Sequence, residues 1–546
     1  MLLTKQFCIV VNAKKYPSRE LRNLAPERCK FGYDVMEYVG RALFVECRRD
    51  IDIVADLKNR NIEISDSEVP FLGKKFIIYL AIAHRESRDR IRSGMDKRGG
   101  YILHLDGTCD GDSPHLISGM DGLSEIILGN IKAPSENSEV LIPFLKDLKQ
   151  SYGPPLALVH DMGSGLQKAI NEVFPGISDY ICHFHFLRDI GKDLLGKNYG
   201  MIRKCLQNSK ARTQLRTRAK SLQSKLGNDN GAFDEIIQSL KSGKVSEKLA
   251  SKFPDQIAFV LIQWILDADN ESDGYGFPFD RHHFVIASRL FAARKLIEQI
   301  KDHSPNGADM FLRIKSNNSL VHLLNLLNTL LHNKHLCHAV RDMRKKIDVF
   351  DRLRDTMRIA VSADNSGLND DGADADIPTI KEKLEKFKDW ILSPEFPFVI
   401  NDYLGMINQL EKYWDKLFAD PITVQTGEGE ATIYPQRTNN SMERLFRHLK
   451  RNHRRKTGTT QMSRALKAIL ADTPLVKNLT NPEYVSMILS GKATLAERFS
   501  EIDVKLARQK LKEAKTNQQR LPTKLIKLIR REKFIEEINN VFRFAS

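Results

Sequence analysis

Nowhere does the sequence approach eighteen uninterrupted apolar residues, so no helical membrane span is expected. The first residues, Met1-Leu2-Leu3-Thr4-Lys5-Gln6, do not read as a signal peptide. Cysteine is sparse. The seven, at 8, 29, 47, 109, 182, 205 and 337, contain no CxxC pair and, being odd in number, cannot all be bridged. Reduced thiols are therefore expected, in a cytoplasmic or nucleoid-associated protein. Cys8 and Cys29 suggest a degenerate zinc module in residues 1–30, yet two cysteines cannot close a tetrahedral site without two further ligands. Acids are outnumbered: 69 Asp and Glu against 85 Lys and Arg leave a net charge of +16. That excess suits a polyanionic partner, usually nucleic acid, or merely a solvated basic surface.

What is present is enough chain, 546 residues, for roughly two to four domains with their own cores. It is organised around one run of β-formers, Gly100-Tyr101-Ile102-Leu103-His104-Leu105-Asp106-Gly107-Thr108, which delivers a single carboxylate and breaks at a glycine. A carboxylate at the end of a buried strand is costly unless something cationic meets it. Two further strands, His115–Met120 and Glu125–Ile131, are joined at Asp121-Gly122, a two-residue hairpin signal. A helix over Glu136–Gln150 follows, then an apolar strand, Leu156–Asp161, ending on a second carboxylate. A helix at Gly165–Val173 and a strand at Asp179–Phe184 complete the unit. Sequential strands allow an antiparallel meander, and helical crossovers then demand parallel pairing. Placing the first strand beside the fourth would bring Asp106 and Asp161 together, although they are 55 residues apart. Two such carboxylates repel unless a divalent metal sits between them.

Before this unit, residues 31–98 read as three helices: Tyr33–Cys47, Ile51–Arg60, and a third after the capping box Ser65-Asp66-Ser67-Glu68. The stretch Phe76–Ala83 is rich enough in β-formers to read as a strand instead. Short helix, turn and capped longer helix is the pattern of a helix-turn-helix DNA reader, and Lys74 and Lys75 near the third helix's start favour that over a plain three-helix unit. The basic segment Arg85–Arg98 links it to the strand at Tyr101.

From Ile190 to about Thr432 the strand signal largely disappears. Heptad-like leucines (320, 323, 324, 327, 331) indicate a large helical domain. His332, His335 and His338 drift around a helix without an acidic or thiol partner in register and read as surface. Asn369–Asp376 imitates a calcium loop, but Pro378 stands where the liganding glutamate belongs.

The strongest single stretch is Thr438–Lys456. Met442, Leu445, Phe446 and Leu449 mark one apolar helix face, and Arg447, Lys450, Arg451, Arg454 and Arg455 crowd the rest. Glu443 reads either as the acid of an Asn440-x-x-Glu443 capping box or as a third metal ligand beside a phosphate backbone.

The sequences Leu105-Asp106-Gly107-Thr108, His160-Asp161-Met162-Gly163-Ser164-Gly165, Cys182-His183-Phe184-His185 and Thr438–Arg451 together resemble the motifs of DDE transposases of bacterial insertion-sequence and Mutator-like type. The resemblance implies an α/β ribonuclease H-like core with a mixed five-stranded sheet. A large all-α insertion would separate the fifth strand from the helix carrying the glutamate, and Glu443 lies 282 positions after Asp161. The expected organisation is 1–30 (N-terminal segment), 31–98 (helix-turn-helix-like DNA-binding domain), 99–189 (first part of the core), 190–434 (helical insertion), 435–475 (core completion) and 476–546 (C-terminal helical tail). The implied activity is binding of element ends with metal-dependent DNA strand cleavage and strand transfer. Asp106, Asp161 and Glu443 would be catalytic and would hold two divalent cations, Mg²⁺ or Mn²⁺, Asp106 bridging both. Implied partners are double-stranded DNA, as element ends and target, and further copies of the chain in a homodimer or higher oligomer. DNA contacts are expected from Lys74, Lys75, Asn439, Asn440, Arg444, Arg447, Lys450, Arg451, Arg454 and Arg455, and Cys182 with His185 forms a structural motif. Asp110, Asp112 and Glu125, in loop or hairpin positions, are the nearest false candidates. Two alternatives stand beside this reading: a domesticated, catalytically silent DNA-binding derivative, and a host nuclease of the same fold.

Overall fold

The structure, a computed structural model, describes residues 8–11, 14–17, 19–226, 234, 237, 238, 253–272, 274–303, 319–359, 376–516, 528 and 530–544. The chain divides into two compact units. One is formed by residues 1–182 and 419–546, the other by residues 183–418.

The first unit begins with an antiparallel pair, β1 (Cys8–Val11) and β2 (Lys14–Pro17), and a short helix α1 (Arg19–Leu24). Three helices follow where the sequence places them: α2 (Tyr33–Phe44), α3 (Asp50–Asn59) and α4 (Glu68–Glu86). Half of the capping box forms: the Ser65 N–H donates to the Glu68 carboxylate at 3.0 Å, while the Glu68 N–H goes to the Ser65 backbone carbonyl and the N-cap, Ser67, makes no side-chain bond. Phe76–Ala83 lies within α4, which rules out the strand alternative. A second correction is larger. Every residue from Phe76 to His84 is buried, so α4 runs through the core and reaches the surface only in its first turns and at its last residues, Arg85 and Glu86. A DNA-reading helix presents one face to a groove, and here only the segment before Phe76 has such a face. The basic segment that was expected to be a linker is itself a helix, α5 (Arg88–Lys97).

The sheet that follows contains β3 (Ile102–Thr108), β4 (His115–Asp121), β5 (Ile127–Ala133), β6 (Ala157–His160) and β7 (Asp179–Ile181), in the order β5-β4-β3-β6-β7. The first three pair antiparallel, and β6 joins β3 in parallel, as does β7 with β6. The crossovers are α6 (Ser138–Tyr152), capped by Asn137, and α7 (Ser164–Val173). Because side chains alternate across a strand, Leu103 and Leu105 point to one face and His104 and Asp106 to the other. The leucine face packs on Leu148 of α6, leaving the opposite face for polar chemistry.

Two local expectations are corrected. The hairpin at Asp121-Gly122 is a five-residue connection, 122–126, because the Asp121 carboxylate turns back to accept from the N–H of Leu123 and of Ser124, an Asx-type turn that outcompetes the two-residue turn. The last strand ends at Ile181, and His183 already opens a helix, α8 (His183–Asn208).

At Ala419 the chain is back in the first unit, and it adds a hairpin, β8 (Ile422–Thr426) and β9 (Gly429–Ile433), in a stretch read from sequence as helical insertion. Helix Asn440–Thr457 follows, ending at Gly458 in the left-handed region (φ 72°). Residues 476–546 are no mere tail. Val476, Leu479, Tyr484, Ile488, Leu495, Phe499 and Ile502 join the central core. Asn478 pairs with both backbone groups of Ile127, covering the outer strand β5 where an edge would otherwise be open. The buried imidazole of His84 completes this seam, bonding Tyr484 Oη at 3.0 Å and the Leu128 carbonyl at 2.9 Å.

The second unit is helical, as expected. It comprises α8, α9 (Ala211–Leu226), helices Phe253–Asp267, His282–His303, Ser319–Leu331, Lys334–Thr356, Asp376–Leu392 and Leu404–Lys412, and the short Trp414–Leu417. Leu320, Leu323, Leu327 and Leu331 are buried, Leu324 half-buried, and the three histidines exposed. The calcium-like loop falls, apart from Asp376, outside the described residues. No described helix is long and apolar enough to cross a membrane.

The packing of Phe499, edge-on to Phe76 and 5.5 Å from the Tyr79 ring, sets a test of the core assignment. Phe499→Ala should cost about 3–5 kcal/mol in urea unfolding. A loss below about 1 kcal/mol would return the segment to a peripheral tail.

Candidate active site

β3 and β6 bring the first two acids together by register. Leu105 pairs with His160 in the last rung, so Asp106 and Asp161 each follow directly on it. Asp106 is only 6% exposed. Its Oδ1 accepts the Gly107 N–H at 2.7 Å, and Asp161 Oδ1 accepts the Gly163 N–H at 3.2 Å. The chain leaving β6 is held by His160, whose ring faces the Asp161 backbone carbonyl on one side and Asp179 Oδ2, at 3.0 Å, on the other.

The third acid arrives from the far end of the sequence. Asn439, immediately before the helix, is fully buried. Its Oδ1 lies 2.9 Å from His104 Nδ1, its Nδ2 donates to the Leu105 carbonyl at 3.0 Å, and its own N–H donates to Cys182 Sγ at 3.3 Å. The start of the helix is thus bolted to β3, two residues from Asp106. Met442, Leu445 and Phe446 bury its apolar face, and Glu443 stands one turn in, half-buried. The helix is capped at Asn439, whose side chain makes no capping bond, which argues against a mere capping box at Asn440.

Electrostatics report the convergence. Burial pushes the Asp106 carboxyl well above the usual range, and the negative charges of Asp161, Glu443 and Glu136 push it further. Only the Gly107 N–H acts the other way. Three predicted acids thus act on one another, and a fourth, Glu136, was missed. It precedes α6, lies 2.9 Å from His115 Nδ1, and comes so close to the strand that a Cβ at Gly107 would stand 2.6 Å from its Oε1. The glycine after Asp106 is the signal that could have found it. The four carboxylates are gathered but do not stand at ligand spacing: among the described residues no group of three or more His, Cys, Asp or Glu is arranged to hold a metal ion. The zinc module expected at the N-terminus rests on Cys8, whose side chain lies outside the described residues. Chemically, an all-oxygen donor set whose members raise one another's proton affinity is suited to a hard divalent cation.

Of the cations expected on DNA, Arg447, Lys450, Arg451, Arg454 and Arg455 are exposed along the helix beyond Glu443. Asn440 is half-buried at its first turn. One expectation is corrected: Asn439 is buried in the clamp rather than presented to DNA. Two further residues have partners within the chain. Arg444 pairs with Glu125, which also meets Ser441 Oγ at 3.0 Å and Lys477 Nζ at 2.9 Å. Burial alone would raise the Glu125 carboxyl, but these partners bring it down to about 2. Lys75 lies over the Phe71 ring and donates to Cys29 Sγ at 3.1 Å, half-buried beside an equally half-buried Lys74. The false candidates are structural: the Asp110 carboxylate accepts the N–H groups of Met462 and Ser463 at a helix start, and Asp112 pairs with Lys467. Cys182 serves the Asn439 clamp, while His185, the third residue of the other unit, is buried there with its pKa pushed down to about 3 by that burial and by Arg188 and Lys192.

A mixed sheet of this order, three antiparallel strands extended by two parallel ones, is compatible with a ribonuclease H-like core. Residues 117–261 match the family model described as Transposase, Mutator family, which bears out the resemblance drawn from the motifs. Asp161 lies within the matched stretch, and Asp106 and Glu443 lie outside it. No curated protein matches the chain.

Replacing Asp106 by Asn removes the charge that its surroundings disfavour. The folded carboxyl titrates above its unfolded value, so the wild type loses stability as pH rises through that interval. Without divalent cations, Asp106→Asn should therefore melt about 2–4 °C higher at pH 8, with a smaller gain near pH 5. A lower melting temperature at pH 8 would show that the acids do not repel one another.

Proposed function

We propose that this protein is a DNA transposase that binds the ends of a mobile element and carries out metal-dependent strand cleavage and strand transfer by a DDE mechanism. The observation that carries the reading is the buried Asp106 carboxyl under the joint influence of Asp161 and Glu443, three acids drawn from two strand ends and a distant helix. The family match supports a transposase in general.

In this reading Asp106, Asp161 and Glu443 are the residues that would hold two divalent cations, Mg²⁺ or Mn²⁺. When bound, such a pair activates the attacking oxygen and stabilises the leaving one. The chain's own residues do the positioning. Asn439 and His104 fix Glu443 relative to β3, and His160 fixes the backbone at Asp161. Arg447, Lys450, Arg451, Arg454 and Arg455 run along the helix that starts at the acids, so a phosphate backbone following those cations is led toward the carboxylates. Glu136 adds a fourth negative charge that raises the site's demand for cations.

The test pairs an end-cleavage assay in Mg²⁺ with a binding assay on the same preparations. Asp106→Asn, Asp161→Asn and Glu443→Gln should each cut cleavage by about 100-fold or more, beyond what loss of an outer-sphere partner costs, while DNA binding persists. Cleavage at the wild-type rate would end the DDE assignment. A wild type that binds element ends but never cuts them would make this a silent, DNA-binding derivative.

Replacing the five exposed cations of the helix by alanine should flatten the dependence of log affinity on log salt by about 0.9 for each phosphate no longer neutralised. An unchanged slope would mean that the helix face is only solvated.

A further inference from the structure

The helical unit carries a second concentration of positive charge. Between Asp193 and Asp229 there are nine lysines and arginines and no acid. The stretch covers the end of α8, a kink at Lys210 (φ 49°) and the whole of α9. α9 buries Ala211, Leu215, Ala219 and Leu222 along one side, which turns Arg216, Lys220 and Lys225 outward. A uniformly signed helix gains nothing from its own i,i+4 neighbours, so its composition has no stabilising explanation within the helix.

Beside it lies a groove of about 750 Å³ between α9 and helix Phe253–Asp267, lined by Arg216, Lys220, Gln223, Gln263 and Trp264 among others. Trp264 is 40% exposed, an unusual outlay of indole surface, and the Arg289 guanidinium sits 4.9 Å from its ring centroid. At the groove's end Asp269 is paired by Arg212 at 2.7 Å and Arg216 at 3.8 Å, while Asp267 accepts from the neutral Asn270 amide at 2.7 Å and keeps its charge. The positive charge of the opposite rim therefore rests on Lys220 and Lys225.

We propose that this groove is a second DNA site, one that takes an unpaired nucleotide. Phosphates lie along Arg216, Lys220 and Lys225, the base stacks on the Trp264 ring, and the Gln223 and Gln263 amides face its edge. Cations tracking a backbone beside an aromatic platform are the two elements of single-strand binding. The inference rests on the DNA-directed function proposed above but uses none of its residues.

The experiment titrates the full chain with an oligo-dT strand and with a blunt duplex of equal length. Tryptophan occurs only at 264, 390 and 414, so intrinsic fluorescence reports the binding. The strand should quench the wild type more than the duplex does, and Trp264→Phe should bind the strand with most of that quench gone. Trp264→Ala should weaken strand binding about ten-fold. A triple Arg216→Ala, Lys220→Ala, Lys225→Ala variant should lower the salt slope for the strand by about 2, at about 0.7 per neutralised phosphate. Strand binding with unaltered slope and affinity in these variants, or full quenching in Trp264→Phe, would overturn this site and leave the transposase reading standing. Failure of the wild type to bind any DNA would overturn both.

Discussion

A carboxyl group sealed against the middle strand of a sheet is the constraint on which the first unit depends. Asp106 cannot be solvated where it lies, and its nearest charged neighbours share its sign. Taking an ionised carboxylate out of water costs several kcal/mol even after relaxation, so a chain that also aims Asp161, Glu443 and Glu136 at it sacrifices stability there. The cost is met by the packing around it: a leucine face on α6, a buried helix α4, and a C-terminal segment locked to β5 through Asn478. Local strain of this kind, embedded in a rigid frame, is the usual signature of a site in which function overrides stability.

The clamp at Asn439 explains how so long an interruption can leave the acids in reach of one another. A single amide meets His104 Nδ1 and the Leu105 carbonyl, and the backbone N–H of the same residue reaches Cys182, the last residue before the helical unit begins. The chain thus leaves and re-enters the sheet at one place, and 236 residues of helical unit, 183–418, can be accommodated between them. His104, fully buried, has its pKa pushed down to about 4 by that burial, so its imidazole is neutral and donates from Nδ1 to the Asn439 oxygen.

Much of this was legible in the sequence because period and punctuation carry it. The run of β-formers through Ile102–Thr108, the Ser65–Glu68 signal before α4, and the apolar face of the Glu443 helix each have a local cause. The misreadings have causes that act at a distance. Asp121-Gly122 carries a hairpin signal, but the Asp121 side chain closes a different turn. Asn439 sits beside a row of basic residues that suggests DNA, although its amide is buried against a strand more than 330 residues earlier. Tyr484 and Phe499 lie in short helices far along the chain, and only the complementary surface of α4 reveals them as core. Glu136 had no motif around it, and its place at the site follows from the path of the chain.

The central claim is that Asp106, Asp161 and Glu443 share one metal site. Iron(II)-directed cleavage of the polypeptide tests it most directly, because bound Fe²⁺ with ascorbate generates radicals that cut the backbone only near the metal. The account predicts cuts near residues 106, 161 and 443 in the same preparation, all suppressed by excess Mg²⁺ and all lost in Glu443→Gln. Cuts confined to one of these segments, or a pattern indifferent to Mg²⁺, would contradict it.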